Sequence, residues 1–476
     1  MKKLILENHE DLIAKRVTAR DLLDDSFAIA DENKKLNAFI SLLKDESYNK
    51  ADEIDAKITS GKAINILEGI PAALKDIFNM TGTKTTAGSK ILENYISPYN
   101  ATVTEKLLSG GAVIMGKTNM DAFAHGSSTE TSDFGPALNP YDNSRVPGGS
   151  SGGSAIAVAT GIVPYAIGTE TAGSIRGPAA WCGVYGFAGT FGRISRYGII
   201  AMGSSLDRAG VIANSVYDCA LVADILGGMD EFDATTIREL KTEYATHLND
   251  NYVSGIRIGI PKQFLDSRID KEVSETSMKV IKSLEKLGAK IIEIDLMDPK
   301  YSIAVYTIIN RSEVSSNLAR IDGIRFGHDS SKTEEEIINH IALSRGEAFG
   351  NEAQQRSLTG AYSLSAGYYN EYYSKASKVR TLIINDFKKA FEKVDLIMGP
   401  TMPTVAPKLG VTKNNPLFGE LADILAEPSA LSGLPCISIP AGLNSEGLPI
   451  GVQIIGPQFS EQKVLDLAYT CERRVL

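Results

Sequence analysis

The chain has 476 residues, a formal net charge of −9 and a sequence pI near 5.3. This length provides a sizeable core for two or three average domains or one large α/β unit, and the acidic balance argues against a general nucleic-acid surface. The N-terminus becomes acidic at Glu7 and the longest apolar stretch, 155–168, is too short to span a bilayer, so we expect neither export nor membrane anchoring.

Apolar and charged residues alternate at helical spacing over 8–58, which predicts N-terminal helices packed outside the core. Residues 110–117 have the pattern of a helix end followed by a buried strand. Further strand patterns lie at 256–260, 289–294, 396–398, 436–440 and 451–455. Because helical patterns precede most of them, the sequence predicts an α/β fold with a mostly parallel mixed central sheet covered by helices on both faces.

A P-loop pattern of glycine, four residues and Gly-Lys-Thr occurs at 111–118. A true P-loop needs a strand before the loop and small residues within it. Here the four inner residues are themselves an apolar strand, and a helical pattern precedes them. We therefore reject a nucleotide site and interpret Lys117 as a polar residue at a strand end.

The four cysteines lie far apart, mostly among apolar residues, at Cys182, Cys219, Cys436 and Cys471. This spacing favours buried free thiols over a disulfide framework or a zinc site. Such thiols suit the cytoplasm, and we expect no metal in this chain.

Two serine segments rich in glycine and one lysine are the main functional signal: Gly148–Ser154, Gly173–Arg176 and Lys75. Hydrolysis by a serine needs a base for its proton and backbone donors for the oxyanion. Of the five histidines, only His125 lies near a plausible site loop, and no Gly-x-Ser-x-Gly elbow precedes it. The sequence therefore predicts a serine hydrolase with a lysine base, whereas a Gly/Ser run alone is typical of a linker.

Lys75 can act as a base only if its environment keeps it neutral, because the pKa of free lysine is about 10.4. The apolar neighbours Ile70, Leu74 and Ile77 favour a partly buried side chain. A surface lysine is the alternative interpretation, and the two serine segments argue against it.

The segment 147–180 resembles the amidase signature family, whose Ser-Ser-Lys triad hydrolyses carboxamides. The resemblance implies that Ser174 is the nucleophile and that Ser150 passes its proton to Lys75 and returns it to the leaving amine. It also implies a cis peptide between Gly149 and Ser150. The family's fold would make the chain a single domain over 1–476, with N-terminal helices at about 1–58, a catalytic core at about 59–225 and 390–476, and a helical elaboration at about 230–390.

The resemblance places the oxyanion donors in the backbone N–H groups of Thr171, Ala172, Gly173 and Ser174, at a turn that enters a helix. Relatives carry glycine at the position of Ala172, and a positive φ there would cost about 1 kcal/mol with alanine. Other positions also depart from the family pattern, and they leave open a slowed or repurposed enzyme. These are Thr169, Glu170, Gly177, Ala188, Gly189 and Ala430.

Three stretches resemble one branch of the family, the glutamine-hydrolysing subunits of tRNA-dependent amidotransferases: 315–327, 367–373 and 398–404. The resemblance implies glutamine as substrate, with Arg356 binding its carboxylate and Asp423 its ammonium. Ammonia would pass to a B subunit that uses ATP and Mg²⁺ to convert Glu-tRNA(Gln) to Gln-tRNA(Gln), and a small C subunit would complete a heterotrimer. The tRNA would contact mainly the partner, and this chain would hold no cofactor of its own.

Two other functions stay open at this point. The chain could be a stand-alone amidase for another small carboxamide, acting as a monomer or homodimer. It could also be a catalytically weak scaffold that binds partner subunits. The sequence does not decide whether Asp-tRNA(Asn) is also served.

Overall fold

The computed structural model describes residues 4–238, 242–332, 334–415 and 417–476. Within them lie fifteen helices and eleven strands. The helices are α1 (Ile5–Ile13), α2 (Ala19–Glu32), α3 (Lys44–Thr59), α4 (Thr102–Ser109), α5 (Gly152–Ala159), α6 (Arg176–Cys182), α7 (Val216–Leu226), α8 (Lys271–Lys286), α9 (Lys300–Leu318), α10 (Ile337–Ala348), α11 (Asn351–Leu364), α12 (Lys375–Lys393), α13 (Phe418–Ala422), α14 (Glu427–Leu431) and α15 (Glu461–Arg474). The strands are β1 (Phe39–Leu42), β2 (Pro71–Lys75), β3 (Val113–Thr118), β4 (Tyr165–Glu170), β5 (Tyr185–Ala188), β6 (Arg208–Ala213), β7 (Arg257–Pro261), β8 (Lys290–Ile294), β9 (Leu396–Pro400), β10 (Cys436–Leu443) and β11 (Pro449–Ile455).

The eleven strands form one mixed sheet in the order β1-β3-β2-β4-β6-β5-β10-β11-β9-β7-β8. The predicted α/β class is confirmed, but the sheet is not mostly parallel, since six of its ten strand pairings are antiparallel. The β10–β11 hairpin explains half of this difference. It lies between β5 and β9, and it pairs antiparallel with both of them as well as within itself.

The N-terminal region contains the predicted helices α1, α2 and α3, and it also contains the short strand β1. β1 pairs antiparallel with β3 at the edge of the sheet, where Phe39 lies opposite Thr118. Four residues are too few for helical periodicity to show their state, so the pattern over 8–58 hid this strand. Within the block predicted as a helical elaboration, β7 and β8 extend the opposite edge of the sheet.

The centre of the sheet is the core that positions the site. Every residue of β2, β3 and β4 is buried. Because β2 and β4 are parallel neighbours, their carboxyl ends reach the same edge, where Lys75 ends one strand and Glu170 ends the other.

The four cysteines are all buried, as predicted. None of the helices in the described ranges combines the length and apolar character that crossing a bilayer requires.

Candidate active site

Lys75 is the last residue of β2, and its side chain is fully buried. Its Nζ lies 2.8 Å from Ser150 Oγ, 2.9 Å from Ser151 Oγ and 2.9 Å from Thr169 Oγ1. Burial lowers the pKa of Lys75 to about 7, although nearby carboxylates act in the opposite direction. The amine can therefore be neutral near neutral pH, which is the state that accepts a proton.

The peptide bond between Gly149 and Ser150 is cis. Gly149 has no room for a side chain, because a Cβ atom there would lie 2.0 Å from Asp121 Oδ2. The buried Asp121 carboxylate accepts hydrogen bonds from the backbone of Thr129, at 2.9 Å, and from Thr131 Oγ1, at 2.9 Å. Asp121 thus holds the 125–131 loop against the segment that carries Ser150.

Ser174 lies in the turn between β4 and α6, and 3% of its surface is exposed. Its carbonyl accepts a hydrogen bond from Ser151 N at 3.2 Å, which joins the two serine segments. The Ser174 hydroxyl makes no hydrogen bond to any described residue, so its link to Ser150 is not formed in this arrangement.

The backbone N–H groups of the predicted oxyanion segment have no hydrogen-bond partner in the part of the chain that the structure describes: Thr171, Ala172, Gly173 and Ser174. Four consecutive free donors beside a serine are suited to stabilising an oxyanion. The φ angle of Ala172 is not positive, so alanine fits here without the strain that the family comparison suggested.

A fully buried ion-pair network supports the turn that carries Ser174. Glu170 Oε2 accepts hydrogen bonds from the backbone N–H groups of Ile175 and Arg176, and its carboxylate pairs with the guanidinium groups of Arg176, at 3.0 Å, and Arg208. Burial opposes ionisation, but the two arginines outweigh it and lower the pKa of Glu170 to about 2. The network therefore fixes the entrance to α6 whenever the protein is folded near neutral pH.

Arg176 also connects this turn to the C-terminal part of the chain. Its Nη2 donates to the carbonyl of Ala172 at 2.9 Å. Its remaining donors reach residues far along the sequence, namely the carbonyl of Ala426, Ser429 Oγ and Gln453 Oε1. The turn that carries Ser174 is thus tied to the C-terminal part of the chain.

The predicted substrate-binding residues Arg356 and Asp423 are both buried, so neither is an ordinary surface charge. Arg356 donates to Glu352 at 2.7 Å and to Asn310 at 3.1 Å, and its Nη2 makes no hydrogen bond within the described residues. Asp423 Oδ2 accepts a hydrogen bond from Ser127 at 2.7 Å.

Asp423 lies directly beside the nucleophile turn. Its Oδ1 atom would be 2.3 Å from a Cβ atom on Gly173, so only glycine fits at that position. Arg356 lies near Tyr306, whose hydroxyl is 3.0 Å from Thr171 Oγ1 in the same region. Burial raises the pKa of Tyr306, and the positive charge of Arg356 opposes this rise only in part.

His125 is fully buried, and neither ring nitrogen has a hydrogen-bond partner among the described residues. Burial lowers its pKa well below 6.5, and the positive charges of Arg356 and Arg311 lower it further. A neutral imidazole that contacts no serine hydroxyl is not the base of this site.

Lys117 has partners inside the fold, as expected for a structural residue. Its Nζ pairs with Asp76 at 3.1 Å and donates to the carbonyl of Phe78 at 2.8 Å. The P-loop pattern is thus part of β3, and its lysine is fully buried.

The departures from the family pattern have different structural surroundings. A Cβ atom on Gly177 would lie 3.2 Å from Met402 Sδ, so a larger side chain here requires Met402 to move. The Gly189 carbonyl accepts a hydrogen bond from Arg208 at 3.1 Å. Nothing in the structure explains why alanine stands at position 430, where the side chain is buried in α14.

Sequence reasoning missed Ser151, Thr169 and Asp121 as supporting residues. The parallel pairing of β2 and β4 is the signal that could have identified Thr169, because it places the ends of both strands together. Across the described ranges, no group of three or more His, Cys, Asp or Glu residues is arranged to hold a metal ion.

A buried lysine in contact with serine hydroxyls, next to a turn with free N–H groups, defines the class of lysine-assisted serine hydrolases. The profile of the Amidase family matches residues 21–465. The chain belongs to the amidase family.

Relatives and solved structures agree with this assignment. The chain is 47% identical over 472 residues to the A subunit of glutamyl-tRNA(Gln) amidotransferase from Caldanaerobacter subterraneus subsp. tengcongensis, covering 99% of this chain and 96% of that protein. The crystal structure of the corresponding A subunit from Thermotoga maritima superposes with a TM-score of 0.79 at 37% identity, covering 96% of this chain and 94% of that one. The native peptide amidase of Stenotrophomonas maltophilia has a TM-score of 0.84 at 27% identity, covering 99% and 97%.

Proposed function

We propose that this chain is the glutamine-hydrolysing subunit of a tRNA-dependent amidotransferase, which converts Glu-tRNA(Gln) to Gln-tRNA(Gln). The observation that carries the proposal is the placement of buried Asp423 beside the turn of Ser174, with buried Arg356 near Tyr306, whose hydroxyl lies 3.0 Å from Thr171 of that turn. Glutamine carries a carboxylate and an ammonium on its α-carbon, and a buried arginine and aspartate complement these two charges. The 47% identity to the A subunit of an amidotransferase over 99% of the chain supports the same function over that of a stand-alone amidase.

The first chemical step in this proposal forms an acyl-enzyme. Ser174 Oγ attacks the side-chain carboxamide carbon of glutamine, and its proton passes through Ser150 to neutral Lys75. The negative oxygen of the tetrahedral intermediate accepts hydrogen bonds from the free N–H groups of the turn. The relay requires a hydrogen bond between Ser174 and Ser150, and such bonds often tighten only when substrate binds.

The second step releases ammonia and glutamate. The C–N bond breaks, and the leaving nitrogen takes the proton back from Lys75 through Ser150, so that ammonia departs and a glutamyl ester remains on Ser174. Water then attacks the ester while Lys75 accepts its proton through the same relay. The ester bond breaks, Ser174 regains its proton, and glutamate leaves.

The remaining parts of the proposal concern the assembly. Ammonia passes to a B subunit that activates the tRNA-bound glutamate with ATP and Mg²⁺, and a small C subunit completes the heterotrimer in the cytoplasm. The tRNA contacts mainly the B subunit, and this chain acts as one domain without a cofactor of its own. Its catalytic core comprises about 59–225 and 390–476, and the ranges before and between them add helices together with the sheet-edge strands β1, β7 and β8.

Ammonia release from glutamine tests the proposal. We would measure it with the purified chain alone and after co-expression with candidate B and C subunits. Activity that rises with the partners, together with amidation of Glu-tRNA(Gln), is the expected result. The alternative result is that no assembly hydrolyses glutamine and that other amides are hydrolysed at a rate independent of the B and C subunits. This result would identify a stand-alone amidase.

The pH dependence of kcat/KM should follow the buried lysine. Lys75 must be unprotonated to accept a proton, and burial lowers its pKa to about 7, so we expect activity to rise through about pH 7. Burial raises the pKa of Asp423 to about 7, and the loss of its charge below that pH weakens ammonium binding. Below pH 7, the slope of log(kcat/KM) against pH should therefore approach two, which is roughly a hundredfold change per pH unit. Asp423→Asn should reduce this slope to one. A wild-type pH profile with its midpoint near pH 10 would contradict this account.

Arg356→Lys should weaken substrate binding more than it slows chemistry. Lysine keeps the charge but loses the planar fork that binds a carboxylate with two parallel hydrogen bonds. We expect KM for glutamine to increase roughly 10- to 100-fold while kcat changes less. Arg345→Lys is the matched control, since Arg345 donates only to the Leu318 and Ile321 carbonyls. An equal rise in KM in both variants would remove Arg356 from the binding site.

A further inference from the structure

Three buried carboxyl oxygens near the nucleophile turn have no hydrogen-bond partner among the described residues: Asp423 Oδ1, Glu427 Oε1 and Glu427 Oε2. The two residues lie one helical turn apart, and Glu427 N donates to the Asp423 carbonyl at 2.8 Å. Burial raises the pKa of Glu427 well above its usual range, and the neighbouring Ser302 hydroxyl opposes this only in part. That hydroxyl donates to the Pro299 carbonyl at 2.7 Å. Neither side chain is exposed to solvent beyond 3%.

Arg176 and Arg311 are engaged with other acceptors. The N–H groups of Arg176 are taken by a carboxylate, two side-chain oxygens and two carbonyls, and they contribute no hydrogen bond to Asp423 or Glu427. Arg311 pairs with a third buried carboxylate, Glu420, at 3.1 Å. Buried carboxyl groups are normally paired with a cation or hydrogen-bonded. Two adjacent ones with oxygens that lack partners therefore indicate a place for a ligand that donates hydrogen bonds.

This pair of carboxyl groups borders the region where the amide substrate must lie. Asp423 Oδ1 is the atom that excludes a side chain from Gly173, and it would lie 3.6 Å from a Cβ atom on Gly177. The hydroxyl of Tyr306, which hydrogen-bonds to Thr171, lies near Asp423 and Glu427, and the negative charges of both raise its pKa. The ligand that donates these hydrogen bonds would therefore lie next to the oxyanion segment.

We propose that Asp423 and Glu427 together form a two-carboxyl site for the ammonium group of the substrate, and that Glu427 makes this chain selective for carboxamides that carry such a cation. The inference deepens the proposed function, on which it rests. An ammonium group offers three N–H donors to the three free oxygens. A divalent cation fits less well, because no group of three or more metal-binding side chains occurs within the described ranges.

The test compares glutamine with glutaramate, which has the same carboxamide and carboxylate but no α-ammonium. We would measure kcat and KM for both amides in the complete assembly, with wild type, Glu427→Gln and Glu427→Leu. The preference for glutamine, as a ratio of kcat/KM values, should fall roughly 10- to 100-fold in both variants, mainly through KM. Glu472→Gln is the matched control, because it neutralises a largely buried glutamate on α15.

The outcomes separate this inference from the proposed function. If the preference for glutamine is unchanged in both Glu427 variants, the inference is overturned and the proposed function is unaffected. An equal loss of activity on glutamine and glutaramate has the same meaning. A third outcome is that wild type does not hydrolyse glutamine but hydrolyses β-alaninamide in preference to propionamide, and that Glu427→Gln removes this preference. In that case the ammonium site is supported and the proposed function is wrong. If no ammonium-bearing amide is preferred by wild type, the inference is also wrong.

Discussion

Replacing Ser174 with alanine is expected to abolish glutamine hydrolysis, with a loss of kcat on the order of 10⁴- to 10⁶-fold. The substitution removes the serine hydroxyl of the turn of free N–H groups, and no acyl-enzyme can then form there. The other hydroxyl of this turn, on Thr171, is engaged with Tyr306 at 3.0 Å. Ammonia release under saturating glutamine gives the direct measurement. Trapping of a covalent glutamyl enzyme by acid quench and mass spectrometry should succeed with wild type and fail with the variant.

Ser432→Ala is the matched control for this substitution. Ser432 is equally buried, but its hydroxyl donates to the Pro428 carbonyl at 2.9 Å at the end of α14. We expect it to retain wild-type turnover. If Ser174→Ala kept more than a few per cent of wild-type activity, another nucleophile would have to be sought. Amidation of tRNA that is equal in wild type and Ser174→Ala, with little glutamine hydrolysis in either, would favour the scaffold hypothesis.

Lys75→Met should lower kcat by roughly 10²- to 10⁴-fold, because it removes the proton acceptor of the relay. The residual rate should also lose the rise through about pH 7 that the lysine produces. Methionine has a similar length, so the folded protein should persist, and thermal unfolding monitored by circular dichroism checks this. A variant that keeps the wild-type pH profile would assign the base to another group.

Lys117→Met provides a sharp contrast on the neighbouring strand. Both lysines are fully buried, but Lys117 pairs with Asp76 whereas Lys75 hydrogen-bonds only to hydroxyl groups. Removing one partner of a buried ion pair costs roughly 3–5 kcal/mol of stability. We therefore expect Lys117→Met to reduce stability strongly, while the residual folded enzyme keeps the pH profile of wild type.

The features that sequence reasoning predicted well are encoded locally. The strand patterns near 113–118, 257–261, 290–294, 396–400 and 449–455 each contain their own apolar run. The segments of Lys75, Ser150 and Ser174 are also marked by their own composition, and the catalytic roles inferred from them stay a prediction. The structure brings Lys75 and Ser150 into hydrogen-bond contact, 75 residues apart in sequence.

The features that sequence reasoning did not predict depend on contacts between distant segments. The antiparallel character of the sheet follows from where the β10–β11 hairpin inserts, and no local pattern specifies that position. The balance between Glu170 and its two arginines likewise requires residues 170, 176 and 208 to meet in space. Burial of Arg356 could not be inferred from its polar neighbours Gln354 and Gln355, whereas Asp423 does stand among apolar residues.

The reach of Arg176 has a consequence for the timing of activity during synthesis. The turn that carries Ser174 takes its final hydrogen bonds from Ala426, Ser429 and Gln453, which leave the ribosome some 250 residues later. Domains are translated from the N-terminus, and a half-satisfied polar network does not hold a single geometry. We therefore expect a nascent or truncated chain that already contains Lys75, Ser150 and Ser174 to be inert, so that glutamine is not consumed until nearly the whole polypeptide has been made.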